Sequence, residues 1–524
     1  MPFDPTTRHP DYTKRLPQWK RQRDCIEGED AIKARGVVYL PALAGQAQPL
    51  TESLDLAALQ SQSTWTPEQA NGYLAYLRRA SFLNATERTV GALSGLLFTK
   101  PPAIEWPASD VEALEVIGRS GETFYELASE TADEVIGIGR YGLLVDFPAG
   151  DPNPYVAQYA AESIVDWAEG VVGGRVLPIR VNLVESETYV DGSKNEQERE
   201  TVRVLHLFRS EAEVVATFDA TPIAGLRSTD FREGPVYVQS AWVRETKEGK
   251  HTLRSAIVVQ APGGRVFREI PFVFFGPKDT RARVAKPPLL DLAVVNLSHY
   301  RNSADLEHGA HFTALPQPWV SGWKGKQAEM SIGSSNAWVM EDPGARAGYL
   351  EFTGAGLGFL QGLMAEKRSQ MASLGARMLE DQGAEESGVA KELRQRGDSS
   401  ALSRIGMALS EGLTYVLQFV AEARGADPRG VSFKLTKQLG LARIDAQMFT
   451  ALMAGVQQGT ISHPTFFRIV QAGGVIPEDH TYKQEAEEIA EGRPGGPGGD
   501  GQMGRPKPSK ETSDPADDDE DGTA

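Results

Sequence analysis

Residues 287–318 read PPLLDLAVVNLSHYRNSADLEHGAHFTALPQP. Paired prolines open the stretch and Pro316 and Pro318 close it. Those bounds suit one long helix, because proline is tolerated at a helix start and breaks a helix interior. Leu289, Leu292, Val295, Leu297 and Leu306 form its apolar stripe. Three of the chain's 8 histidines, His299, His308 and His311, lie here with Asp305 and Glu307. Asp305, His308 and His311 are spaced i, i+3, i+6, along one slowly drifting side of a helix. Two readings follow. One is a metal-dependent hydrolase holding a divalent ion on these three residues, which needs a fourth ligand from elsewhere. The other is an amphipathic helix whose polar face meets water or a partner surface, and the spacing alone favours it.

A second feature lies just beyond. FTGAGLGFLQGLMAEKRSQMASLGARM, residues 352–378, carries Gly354, Gly358 and Gly362 at every fourth position, followed by Ser369, Ala372, Ser373 and Ala376. Glycine inside a helix costs about 1 kcal/mol relative to alanine. A regular row therefore implies either a poorly formed helix start or close approach of a neighbouring helix, in this subunit or the next. Glu366, Lys367 and Arg368 exclude the membrane version of such a row.

Composition bounds the rest. The chain has 524 residues, enough for two or more structural regions. Its formal charge of −17 opposes a tight nucleic-acid binder, which shows a basic footprint, but is compatible with sliding past a polyanion. One cysteine, Cys25, precludes an internal disulfide framework and fits a reducing cytoplasm. No run approaches eighteen consecutive apolar residues, and the start lacks the apolar core of a signal peptide. A soluble intracellular protein is expected.

Along the chain, residues 1–60 read as an extended arm with a little helix. TPEQANGYLAYLRRASFLNATERTVGALSGLLF, from Thr66, predicts a helix or helix pair that ends before Pro101 and Pro102. Another helix is predicted from about Gly121 to Ile138. LLVDF, VLPIRVNLV, TVRVLHLF, PVYVQSAWV, SAIVVQ and IPFVFF read as strands. Helices follow at about Leu357–Leu379 and Ala390–Ala423, then a short strand, GVSFKLT, small helices to about Ala490, and a low-complexity acidic tail expected to be disordered.

Catalytic signatures are scarce. Gly137-Ile-Gly139-Arg-Tyr-Gly142 matches G-x-G-x-x-G, but a helix precedes the glycines and a strand follows, the reverse of the dinucleotide fingerprint. There is no phosphate-binding G-x-x-x-x-G-K-[ST], no H-E-x-x-H and no G-x-S-x-G. No cofactor is expected, and no enzyme activity.

The order of parts, with YLAYLRRASFLNATERTVGALSGLLFTKPP, GIGRYGLLVDFP, PYVAQYAAESIVDW and LLDLAVVNLSHYRNSADLEHGAHFTALPQPWVSGW, resembles the portal proteins of tailed bacteriophages, within a phage family long catalogued as a domain of unknown function. The resemblance spans roughly residues 10–490. It implies an α+β portal fold, with a mixed α/β wing, a two-helix stem, a small clip, a long wing-crossing helix and a helical crown, in a ring-forming subunit. By order of parts, 1–285 would be the arm and wing, 286–314 the first stem helix, 315–352 the clip and 353–379 the second stem helix. Residues 380–430 would hold the tunnel loop and wing helix, 431–491 the crown and 492–524 the acidic tail.

The resemblance also implies partners and place. The expected assembly is a homo-oligomer, a 12-mer ring at one capsid vertex of the virion, built in the host cytoplasm without a membrane. Expected partners are the terminase large subunit, the major capsid and scaffolding proteins, a head–tail adaptor and, transiently, double-stranded DNA. Lys391, Arg394 and Arg396 would touch DNA in the channel, their other reading being a solvated helix face. Gly354, Gly358 and Gly362 would let stem helices crowd together. Twelve copies would carry about −200 charges, a field relieved by counter-ions and basic partner surfaces.

Overall fold

The computed structural model describes residues 3–43, 65–107, 112–147, 153–190, 196–219, 221–244, 249–261, 263–313, 317–322, 342–350, 355–378 and 400–435, with 453, 454, 456, 460, 462–472 and 480–485. The chain divides into two units, residues 1–439 and 440–524.

In the first unit, helix α1, Pro10–Glu27, starts where the His9 imidazole caps the backbone of Asp11 and ends at Gly28, whose φ of 101° suits glycine. The sequence predicts an extended arm with only a little helix here. The segment folds instead as an 18-residue helix, because Tyr12, Trp19, Gln22 and Cys25 line one buried face. The interior Pro17 and the many basic residues hide that face from a hydropathy reading. Helix α2 is Glu29–Ala34.

Thr66 and Gln69 form a capping box that opens α3, Pro67–Arg79. The Asn84 side chain caps α4, Ala85–Leu97, so the long helical pattern is a pair. Strand β1 is Ala103–Glu105, and a second capping box, Thr123 with Glu126, starts α5, Phe124–Gly137. Strands β2, Tyr141–Asp146, and β3, Tyr155–Ala160, follow. Then come β4, Ile164–Val172, β5, Arg175–Val190, and β6, Glu196–Phe208. A short helix absent from the sequence expectation, α6, Glu211–Phe218, precedes β7, Val236–Val243, and β8, Thr252–Val258. Strands β9, Gln260–Ala261, and β10, Arg265–Val266, pair with each other ahead of β11, Phe272–Phe275.

Two sheets organise this part. β4 to β8 form a five-stranded antiparallel meander in chain order, and β11-β2-β3 form a smaller antiparallel sheet. All residues of β2 and β11 are buried, as expected of strands covered on both faces. The fold is mixed α/β.

After β11 come α7, Leu290–Thr313, the strands β12, Gln317–Ser321, and β13, Arg346–Leu350, and α8, Ala355–Ala376. Helix α9, Ala401–Ala423, buries Leu402, Ile405, Leu409, Leu413, Val416, Leu417 and Val420 against the small sheet. Each such side chain removed from water contributes about 2 kcal/mol before entropy is counted. Gly412 admits that approach: a Cβ there would lie 2.4 Å from the Phe275 ring. The sequence predicts a start near Ala390; α9 begins at Ala401, and 379–399 lie outside the described residues. Strand β14, Ser432–Lys434, pairs with β1 and ties residues some 330 positions apart, Ile104 opposite Phe433. In the second unit α10 spans His463–Ala472.

Arg140 fixes the approach to α7. It is 2% exposed, sandwiched between Trp167 at 4.2 Å and Phe274 at 4.6 Å, and its Nη1 donates to the Ala282 carbonyl at 2.8 Å. Gly139, with φ of 85°, lets Pro287 pack within 3.1 Å of where a Cβ would stand. The helix-before-strand order at Gly137–Gly142 is thus a structural turn, with no helix N-terminus to receive a phosphate.

Candidate functional site

Helices α7 and α8 form an antiparallel pair. A Cβ on Gly309, near the end of α7, would lie 2.9 Å from Leu357 at the start of α8. Ten residues further along α8, Lys367 Nζ donates to the Ser298 carbonyl of α7 at 3.1 Å. The two helices are joined through β12 and β13, which pair antiparallel with Trp319 opposite Gly348.

One face of α7 packs into the first unit. Asn296, Leu297, His299, Tyr300, Ser303 and Ala304 are buried there. Asn296 Nδ2 donates to Thr86 Oγ1 at 3.1 Å, and the Ser81 amide donates to Ser303 Oγ at 3.1 Å. Phe82 meets Tyr300 edge-on with ring centres 6.0 Å apart.

The three residues of the metal reading are not brought together. Asp305 accepts the Tyr76 hydroxyl at 2.6 Å, while the His308 ring stands edge-on to Tyr76 at 5.1 Å and to Phe312 at 4.8 Å. His311 is exposed beside Phe312. Among the described residues no three His, Cys, Asp or Glu side chains group to hold a metal ion. Tyr76 of α3 instead meets Asp305 and His308 within the same chain. Burial, then the positive charge of Arg79, holds the His308 imidazole below its ordinary range.

The glycine row has a different place from the contact with α7. Nothing among the described residues lies within 4 Å of a Cβ built on Gly358 or Gly362, and Gly354 lies outside the described residues. Close approach inside the pair is made by Gly309, signalled in the sequence only as a lone glycine in a helical pattern. Gly358, Gly362, Ala365, Ser369, Ala372 and Ala376 are all exposed and follow each other at steps of four and three. They form one narrow stripe of small residues along the outer side of α8. Phe359 beside it is 69% exposed. Lys391, Arg394 and Arg396 lie outside the described residues. No helix among the described residues is long and apolar enough to cross a membrane.

The architecture is thus a mixed α/β body bearing an antiparallel helix pair with one bare small-residue face. In comparisons with known proteins, a family model described as Domain of unknown function (DUF4055) matches residues 288–422, from the start of α7 nearly to the end of α9. No curated protein matches. Among solved structures, the chain is similar to a chain in the neck of a native gene transfer agent particle computed with C12 symmetry. That match has 12% identity and a TM-score of 0.35, and covers 74% of this chain and 89% of that one. A chain of the virion of a native gene transfer agent particle matches at 13% identity and a TM-score of 0.35, covering 76% and 92%. A chain in the neck of an empty particle computed with C6 symmetry matches at 14% identity and a TM-score of 0.35, covering 84% and 98%. Likeness at this level carries no argument about activity.

Proposed function

We propose that this chain is a portal subunit, a head-to-tail connector that assembles into a ring around a DNA channel at one capsid vertex. The carrying observation is the bare stripe on α8. Six small residues, exposed over the length of a 22-residue helix, leave a surface on which another helix can approach closely. Lys367 and Gly309 hold the two helices together, and the other side of the pair is already engaged by the packing of α7 on α3. A face that differs from the surface it meets gives a heterologous contact, which closes into a ring when the rotation allows.

In that ring α7 and α8 are the stem helices, β12 and β13 belong to the clip, and the α/β body is the wing. Lys391, Arg394 and Arg396 are the candidate channel contacts. The ring carries DNA during packaging and ejection and docks the terminase motor and the tail connectors, without chemistry of its own. An acidic wall with few basic contacts lets a polyanion pass without holding it.

Mass photometry of the purified chain tests this. The subunit is 56.9 kDa, so a dodecamer has a mass of about 680 kDa. A dominant species of high, discrete mass is expected; a monomer under every assembly condition overturns the reading.

A further inference from the structure

The seam between α7 and α8 gathers positive charge, and among the described residues the carboxylates that act on Lys367, Asp305 and Glu366, do so more weakly than Arg301. Lys367 Nζ donates to the Ser298 carbonyl at 3.1 Å, which places its ammonium one residue from His299. His299 is 4% exposed, and neither of its ring nitrogens has a hydrogen-bond partner. Buried polar groups in folded proteins are nearly always paired. Arg301 lies one turn further along the same side of α7 as Ser298, and Arg368 follows Lys367 on α8. Among the described residues, Arg301 and Arg368 make no side-chain hydrogen bond or ion pair.

These groups feel each other. Burial, then the charges of Arg368 and Lys367, hold the His299 imidazole below its ordinary range. Burial, then Arg301, does the same to the Lys367 ammonium, with Asp305 and Glu366 opposing it more weakly. Neither carboxylate forms an ion pair with the cluster: Asp305 accepts from the Tyr76 hydroxyl at 2.6 Å, and Glu366 accepts from Gln370 Nε2 at 3.2 Å.

We propose that this seam binds an oxyanion, with Arg301, Lys367 and Arg368 supplying charge and His299 one imidazole N–H. Arginine forks fit both phosphate and carboxylate oxygens. The oxyanion is therefore either a free phosphate group or a carboxylate presented by a second copy of the chain. The binding groups all belong to one copy, and only the carboxylate source requires assembly.

Calorimetric titration of full-length chain with inorganic phosphate, at constant ionic strength, tests the site. Saturable binding is expected, weakened at least tenfold by R301Q combined with R368Q and unchanged by R377Q, an exposed arginine just past the end of α8. Neither Arg301 nor Arg368 is buried, so the double variant should fold, and its circular dichroism spectrum checks this. If dissociated chain binds phosphate and assembled chain does not, a carboxylate of another copy fills the site; if both bind, the ligand is the free ion. Absence of saturable binding in both states, or binding that R301Q with R368Q leaves intact, overturns the proposal.

Discussion

The Tyr76 hydroxyl donates to Asp305 Oδ1 at 2.6 Å, joining α3 to the middle of α7 across 229 residues of sequence. A hydrogen bond to a charged acceptor is worth about 1.5–3 kcal/mol, and the exposure of Asp305 places this one near the lower bound. Tyr76→Phe keeps the ring against His308 and removes only the hydroxyl. A loss of about 1–2 kcal/mol is expected in urea unfolding, with the slope of the transition unchanged. No loss would mean that the bond is traded for water at no cost.

His206 gives a pH dependence of known sign. Its ring stacks on Phe208 at 4.0 Å, and burial, then the charge of Arg180, pushes its pKa down to about 4 from 6.5. Between those values the unfolded chain binds the proton and the folded chain does not, so stability rises with pH across the window and is lost as pH falls from 6.5 to 4. The contribution is at most about 3 kcal/mol. His206→Phe should flatten this part of the stability profile relative to the parent chain; parallel profiles would remove His206 as the cause.

Gly358 and Gly362 separate the needs of one copy from those of an assembly. With nothing among the described residues within 4 Å of either Cβ position, alanine at both should stabilise the isolated chain by up to about 1 kcal/mol per site, through helix propensity. In an assembly that uses the stripe, a larger residue holds the next helix away. Leucine at both positions should leave the melting temperature of the dissociated chain near or above the parent value and reduce the assembled fraction. Unaltered assembly would place the contact elsewhere.

Among the described residues Arg140 is a buried cation without an ion-pair partner, its Nε and Nη2 unpaired. Arg140→Ala leaves a cavity between Trp167 and Phe274 and frees the Ala282 carbonyl, an expected loss of about 3 kcal/mol. Arg140→Met fills most of that space without a buried charge and should recover more than half of the loss in thermal or urea unfolding. If methionine fares no better than alanine, the guanidinium itself holds the segment leading into α7.

Long periodic elements were legible in the sequence. The prolines around residues 287–318 bracket a helix observed at Leu290–Thr313, and the strand runs from LLVDF to IPFVFF appear as β2, β5, β6, β7, β8 and β11. Helix α1 was not legible, since Pro17 and its charged residues mask a face that only tertiary packing defines. The site was partly legible. The small residues of α8 show in the sequence, but a one-dimensional reading cannot tell that Gly309 serves the contact with α7 while Gly358 and Gly362 face outward. His299 looked like one of three similar histidines; its burial beside Lys367 and Arg368 depends on the antiparallel register of the two helices.

Negative-stain imaging of the purified full-length chain reaches the central claim most directly. Closed rings with a central channel, their subunits in contact along the α7–α8 pair, are the expected result, and they should be lost with leucine at Gly358 and Gly362. Particles of single-chain size under all assembly conditions, or rings indifferent to those two substitutions, would contradict a portal built through this face.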